Sequence, residues 1–211
     1  MVKINGRAGH NYKLKGASRL LDEVEENRRI MKELSFMLRS DRDFDYEETT
    51  PETTDTLNGD LNYGVSRANL RSVDLFFSLH LNSSGEDEVE RPIGTEVLIY
   101  SGSVSEVSGN CGRYICMEME NLGFKNRGLK YGENIDGLAE IKNTVMPAMI
   151  IEGFFLNSRA DVDLYKSLGP REVAKAIYRG IKRGTGTFKD HEEVRVMRTC
   201  ETCSNYKAIE G

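Results

Sequence analysis

Val73-Asp74-Leu75-Phe76-Phe77-Ser78-Leu79-His80-Leu81-Asn82 is an almost unbroken apolar run that carries an imidazole near its end. Its length and its leucine and phenylalanine content read as a buried strand that delivers His80 to the edge of a sheet. Toward the N-terminus, Val2 to Ile4 begins a second short apolar run, and Gly9-His10 follows it. Two of the three histidines therefore sit at or just past strand ends, and that placement suggests a metal.

Outward from these runs, strands and helices alternate. Residues 17–38 place Leu20, Val24, Met31, Leu34 and Leu38 on one helical stripe. Residues 44–48 suit a short strand, residues 61–71 a helix leading into the His80 strand, residues 94–100 a strand and residues 103–122 a helix. Residues 123–133 look like a glycine-rich turn region. After Pro147 comes the apolar strand Ala148-Met149-Ile150-Ile151-Glu152-Gly153-Phe154-Phe155, and Gly169-Pro170 opens a last helix with Val173, Ala174, Ile177 and Ile181 facing inward. This order favours an α/β sheet with helices on its faces. From Gly184 the pattern fades into Gly-Thr-Gly-Thr and a polar tail, so one main domain over residues 1–184 is expected, with 185–211 as linker or tail.

Composition excludes several classes. A chain of 211 residues with 38% hydrophobic content buries one full core, and no stretch approaches a membrane span. The start lacks a charged leader followed by an apolar segment, so synthesis without a secretory signal is expected. The net charge of −5 belongs to residues 40–60, with eight acids and one base; the remainder carries 26 acids against 28 bases. That segment reads as a long solvated loop, or as a flap facing substrate. The bases elsewhere are scattered without an aromatic-basic module, which argues against nucleic acid. Nothing in the sequence specifies an oligomer. Cys111 and Cys116 fall in a helix as small hydrophobes, whereas Cys200 and Cys203 form a lone C-x-x-C that suits an inert tail, a truncated module, half a zinc site or a redox pair. His191, in the polar tail, is expected in solvent.

Glu152 is the first polar residue of its apolar strand. A carboxylate there is costly unless paired, with Arg127 as one partner, or employed. Two histidines from separate loops plus one carboxylate make the three-ligand zinc sphere of hydrolytic sites, in which zinc makes hydroxide available at neutral pH and polarises a carbonyl. A further, unligated carboxylate then serves as base.

Several blocks occur together and in order: Gly9-His10, Ala68-Asn69, Asp74 to Asn82, Asn126-Arg127-Gly128-Leu129-Lys130, and Met146-Pro147 through Glu152-Gly153-Phe154 with Asn157. Spanning roughly residues 2–183, they resemble the zinc-dependent N-acetylmuramoyl-L-alanine amidases of bacterial autolysins and phage endolysins. The resemblance implies a mostly parallel or mixed six-stranded sheet flanked by helices. It implies Zn2+ held by His10, His80 and a glutamate of the first long helix, with Glu152 as catalytic base and Asn82 and Arg127 at the substrate. The implied substrate is the amide joining the lactyl group of N-acetylmuramic acid to L-alanine in peptidoglycan. Among the helix glutamates, Glu23 shares a face with Asn27, Ile30 and Leu34, whereas Glu25 shares one with Arg29 and Lys32 and belongs in solvent. Glu23 is the choice, and Glu26 stays open because Ile30 and Met37 share its side.

The chain departs from the family after His10, where Asn11-Tyr12-Lys13-Leu14-Lys15-Gly16 replaces a glycine-rich, Asp-containing string, and near Gly64, where an arginine is common. The loop around substrate is therefore expected to differ, and the acidic insertion bears on wall-type preference. A chain that lacks a leader and acts on the wall suits a phage endolysin. A zinc peptidase or acyl-amino-acid hydrolase is the alternative from another substrate class, and a non-catalytic wall-binding domain is a third.

Overall fold

The computed structural model describes residues 1–100, 105–132 and 138–188. His191, Cys200 and Cys203 lie outside the described residues. Among the described residues twelve elements follow in order: β1 (Val2–Ala8), α1 (Glu23–Ser40), β2 (Phe44–Glu48), α2 (Leu57–Arg71), β3 (Leu75–Asn82), β4 (Thr95–Tyr100), α3 (Glu106–Asn121), β5 (Asn126–Gly132), α4 (Ala139–Lys142), β6 (Ala148–Phe155), α5 (Arg159–Leu168) and α6 (Pro170–Gly184). The strands form one six-stranded sheet in the order β2-β1-β3-β6-β4-β5. Neighbours pair in parallel except β4 and β6, which pair antiparallel, so the sheet is mixed.

The apolar run over Val73 to Asn82 forms β3, which lies between β1 and β6 and carries large hydrophobes on both sides. Side chains of a strand alternate between faces. Leu75, Phe77, Leu79 and Leu81 join the larger core with the inward stripes of α1, α3 and α6. Phe76 turns the other way, into a smaller core with Ala68 of α2, Ile141 of α4, and Ala148 and Ile150 of β6. Helices thus cover both faces, and the alternation puts Phe76, Ser78 and His80 on the α2/α4 side. No described helix is long and apolar enough to cross a membrane.

Several local expectations need correction. Helix α1 starts at Glu23, six residues after residue 17, because Asp22 caps it by accepting from the Glu25 amide, while Ser18 and Asp22 form an isolated bridge. Helix α2 starts at Leu57, capped by the Thr56 hydroxyl on the Gly59 amide at 3.0 Å. Residues 123–133 are not a turn region: most of them form β5, an edge strand whose half-buried residues lack the apolar signature of a buried one. Helices α4 and α5 are additional to the elements that hydrophobic periodicity marks. The acidic segment is not one solvated loop, since it contains β2 and the first turn of α2, where Asp60 is buried.

Asp41, just past the end of α1, ties that helix to α6: its Oδ2 accepts from the Tyr178 hydroxyl at 2.5 Å and from Lys182 Nζ at 2.6 Å. Partial burial raises the carboxyl's pKa, but bonds from Lys182 and Tyr178 outweigh this and hold it below its ordinary 3.8. A carboxylate with a depressed folded pKa stabilises fully above its unfolded value and loses that contribution as pH falls through the folded one. Asp41→Asn is therefore expected to cost about 1 kcal/mol at neutral pH, after discounting for solvent around the pair. In thermal unfolding that is a loss of about 2–4 °C, and the gap to wild type should close as the pH is lowered below 3.8. An undiminished gap in acid would show that packing, not charge, accounts for it.

Candidate metal centre

Strands β1, β3 and β6 run in the same direction, so their C-terminal ends bring His10, His80 and Glu152 to one edge, where α1 begins. His80 stands directly opposite Glu152 in the β3–β6 register. His10 has φ of 60°, a left-handed conformation that costs a histidine energy and re-aims its ring after Gly9. The Arg28 guanidinium donates to the His10 carbonyl at 3.2 Å and to the Pro51 carbonyl at 3.0 Å, which pins this bend.

Glu23, in the first turn of α1, lies between the two imidazoles. Its Oε2 is 3.5 Å from His10 Nε2 and its Oε1 is 3.2 Å from His80 Nδ1, while the rings sit edge to face with centroids 5.0 Å apart. One donor atom from each of the three residues falls within 4.8 Å of the others. The carboxylate is fixed by the Ala17 amide at 2.7 Å, the Leu81 amide at 3.3 Å and the Asn27 side chain at 3.4 Å. Burial pushes the Glu23 carboxyl up, but the bond to His80 and the charges of both histidines outweigh it and hold its pKa low.

The donor set fits zinc. Two atoms each about 2.0–2.2 Å from a shared tetrahedral ion stand roughly 3.3–3.6 Å apart; each Glu23 oxygen lies near that spacing from one ring nitrogen, and the donor atoms of the trio lie within 4.8 Å of one another. Glycines leave the room: a Cβ on Gly9 would fall 2.2 Å from His80 Cε1, and one on Gly16 would fall 2.1 Å from Glu23 Oε2 and 2.6 Å from His10 Nε2. The surroundings are also anionic, with Glu140 and Glu152 joining Glu23 around His80 and Glu96 opposite Glu152 in the β4–β6 register. Burial, and then the Glu23, Glu96 and Glu140 charges, push the Glu152 carboxyl up to about 8 against the opposing pull of His80. A crowd of buried carboxylates beside two imidazoles favours a cation.

The Glu152 Oε2 is buried and makes no hydrogen bond among the described residues. Arg127, the partner that the sequence offers for it, pairs instead with Glu96 through Nε at 2.7 Å and lies over the Phe155 ring at 5.0 Å. Asn82 donates to the other Glu96 oxygen at 3.2 Å, so Asn82 and Arg127 share one carboxylate beside Glu152. Glu26 points away from the histidines, with its carboxylate on the Tyr165 hydroxyl at 2.5 Å and on Arg29 at 3.0 Å. Glu25 is exposed. Cys111 and Cys116 are buried in α3, where burial pushes both thiols up to about 12 and leaves them inert.

Sequence reasoning misses Glu96, Glu140, Arg7 and Asp60. Glu96 carries a usable signal, a carboxylate inside an apolar strand, the same signal that singles out Glu152. Arg7 carries one too, as a cation inside β1. Asp60 lies in polar surroundings that give no local sign of burial, and Glu140, although flanked by Leu138, Ala139 and Ile141, stands in a run too short to mark an element.

Residues 7–183 match the family of N-acetylmuramoyl-L-alanine amidases. The chain is 34% identical over 207 residues to an uncharacterized 38.4 kDa protein of Clostridium perfringens, with 97% of this chain and 58% of that protein covered. It therefore spans a little over half the length of the curated relatives it matches. Among solved structures, the catalytic domain of the CD27L endolysin targeting Clostridia difficile superposes with a TM-score of 0.71 at 27% identity, covering 86% of this chain and 97% of that one. An N-acetylmuramoyl-L-alanine amidase from Clostridium difficile 630 shares the fold with a TM-score of 0.75 at 20% identity, covering 89% and 98%.

Proposed function

This chain belongs to the N-acetylmuramoyl-L-alanine amidase family, and from that premise we propose that it hydrolyses the amide between N-acetylmuramic acid and L-alanine in peptidoglycan, with zinc as cofactor. The observation that carries the proposal is the convergence of His10, Glu23 and His80 within 4.8 Å, with Glu152 in register beside His80.

His10, Glu23 and His80 would hold the ion; when bound, it supplies Lewis acidity that makes hydroxide available near neutral pH and polarises the scissile carbonyl. The chain's own residues do the rest. Glu152, whose Oε2 has no hydrogen-bond partner among the described residues, accepts a proton from the attacking water and hands it to the departing alanine nitrogen. Glu96 holds Arg127 and Asn82 at the rim, where a cation and an amide suit the carboxylate and amide groups of a peptide stem. The catalytic unit we propose is residues 1–184: α6 ends at Gly184 and the family match ends at residue 183. Residues 185–211 then serve as linker or as the start of a wall-binding segment. An endolysin role is supported by the 27% identity to an endolysin catalytic domain.

The test is digestion of purified cell wall followed by mass spectrometry of the fragments. The expected products are peptides with a new free L-alanine amino terminus beside glycan chains left intact. Cleavage within the stem peptides, or hydrolysis of soluble acyl-amino acids without release of wall peptides, would replace this reading with that of a peptidase or acyl-amino-acid hydrolase.

A further inference from the structure

We infer that Glu140 is a positioning carboxylate for His80: it engages the imidazole at Nε2, so that Nδ1 is the nitrogen presented to the cation, and the buried pair Arg7–Asp60 anchors it. The inference rests on the metal-centre reading above. Glu140 lies in the single turn of α4 and is 1% exposed. Its Oε2 is 3.4 Å from His80 Nε2, while His80 Nδ1 is the nitrogen 3.2 Å from Glu23. The two ring nitrogens are thus divided between two carboxylates, one belonging to the donor trio and one behind it. A carboxylate behind a ligating histidine fixes its tautomer and its ring orientation.

What holds Glu140 is a guanidinium with no solvent exposure. Arg7 projects from β1 on the same face as His80 and donates to the Ala8 carbonyl at 3.2 Å, to the Asp60 carbonyl at 2.6 Å and to Asp60 Oδ2 at 2.7 Å. Its Nη1 is also 3.0 Å from Glu140 Oε1, an ion pair that lacks hydrogen-bond geometry. Gly64 of α2 makes the room, since a Cβ there would fall 2.9 Å from Arg7 Cδ. The remaining Asp60 oxygen accepts from the Asn11 side chain at 2.7 Å, and Asn11 follows His10. A continuous buried chain therefore runs from the His10 loop through Asn11, Asp60, Arg7 and Glu140 to the His80 ring. Asp60 already engages Arg7 twice, through its backbone carbonyl and its Oδ2, so Glu140 is not required to satisfy the guanidinium; its second oxygen goes to the histidine. A buried charge network is a poor source of stability, and this one is explained by the two residues at its ends.

The experiment compares zinc affinity, by competition with a chromogenic chelator, in wild type, Glu140→Gln, Glu140→Ala, His80→Ala and the control Glu118→Gln. Glu118 is also a buried carboxylate paired with an arginine, Arg183 at 2.9 Å, but it joins α3 to α6 away from the histidines. The Glu140 variants should bind zinc on the order of 10–100-fold more weakly, the usual cost of losing such a partner, with the control within about threefold of wild type. Wild-type affinity in Glu140→Gln, or an equal loss in Glu118→Gln, overturns the inference while leaving the metal centre standing. No zinc in wild type, or an unchanged affinity in His80→Ala, removes both. Should the Glu140 variants fail to fold, ¹⁵N-histidine NMR of zinc-loaded wild type decides: a metal-shifted Nδ1 with a slowly exchanging proton on Nε2 is expected, and coordination through Nε2 overturns the assignment.

Discussion

Replacing Glu152 with glutamine is expected to slow hydrolysis of purified walls on the order of 10²–10⁴-fold while fold and zinc content persist. Glutamine keeps the shape and a hydrogen-bonding terminus but cannot take up a proton from water. The variant should not be destabilised. Glu152 sits opposite His80 inside an otherwise apolar strand, near Glu23, Glu96 and Glu140, and its Oε2 has no partner among the described residues. Neutralising one of several crowded carboxylates relieves repulsion and desolvation, so the melting temperature of the metal-free variant should equal or exceed that of wild type. A structural ion pair predicts the reverse, namely stability lost first and activity falling only with the folded fraction. The geometry opposes that alternative, because Arg127, the arginine best suited to such a pair, is engaged by Glu96 at 2.7 Å. Wall lysis by Glu152→Gln at a near wild-type rate, with zinc still bound, would falsify the base assignment even if the metal centre is correct.

The parts of this site legible in the sequence are those whose surroundings are set locally. A run such as Leu75 to Leu81 has the length and composition of a buried strand, and period-2 alternation then fixes which of its residues share a face with His80. The helical period of α1 alone likewise separates Glu23 from Glu25, although the pattern misplaces the helix start because Asp22, not an apolar residue, sets it. Strand β5 is illegible because an edge strand needs no apolar alternation, and its Asn, Gly and Lys residues look like turn chemistry. The pairing of the buried charges is illegible for another reason. Arg7 pairs with Asp60 and with Glu140 across long stretches of chain, and nothing near any one of them specifies its partners. Sequence marks a costly buried charge only when its neighbours are apolar, as they are for Glu152 and Glu96.

Loss of zinc is the expected result of Glu23→Ala, and the three neighbouring glutamates of α1 provide an internal comparison that separates coordination from stability. Glu23 Oε1 and Oε2 face one imidazole each, at 3.2 and 3.5 Å, so its removal takes away the one carboxylate of the donor trio. Two imidazoles alone hold zinc poorly, and metal content measured after dialysis should fall from about one per chain to near zero, with wall hydrolysis lost alongside. Glu26→Ala removes the acceptor of the buried Tyr165 hydroxyl and should cost stability on the order of 1–3 kcal/mol, with zinc retained. Glu25→Ala, at an exposed position, should change neither. Thermal unfolding with and without zinc makes the distinction quantitative, because a ligand that binds only the native state raises the melting temperature by an amount set by its affinity. Wild type, Glu25→Ala and Glu26→Ala should all show that rise, the last from a lower starting point, whereas Glu23→Ala should show none. A zinc-induced rise that disappears in Glu26→Ala but survives in Glu23→Ala would move the third ligand one helical turn along α1 and require the N-terminal turn of that helix to rotate toward the histidines.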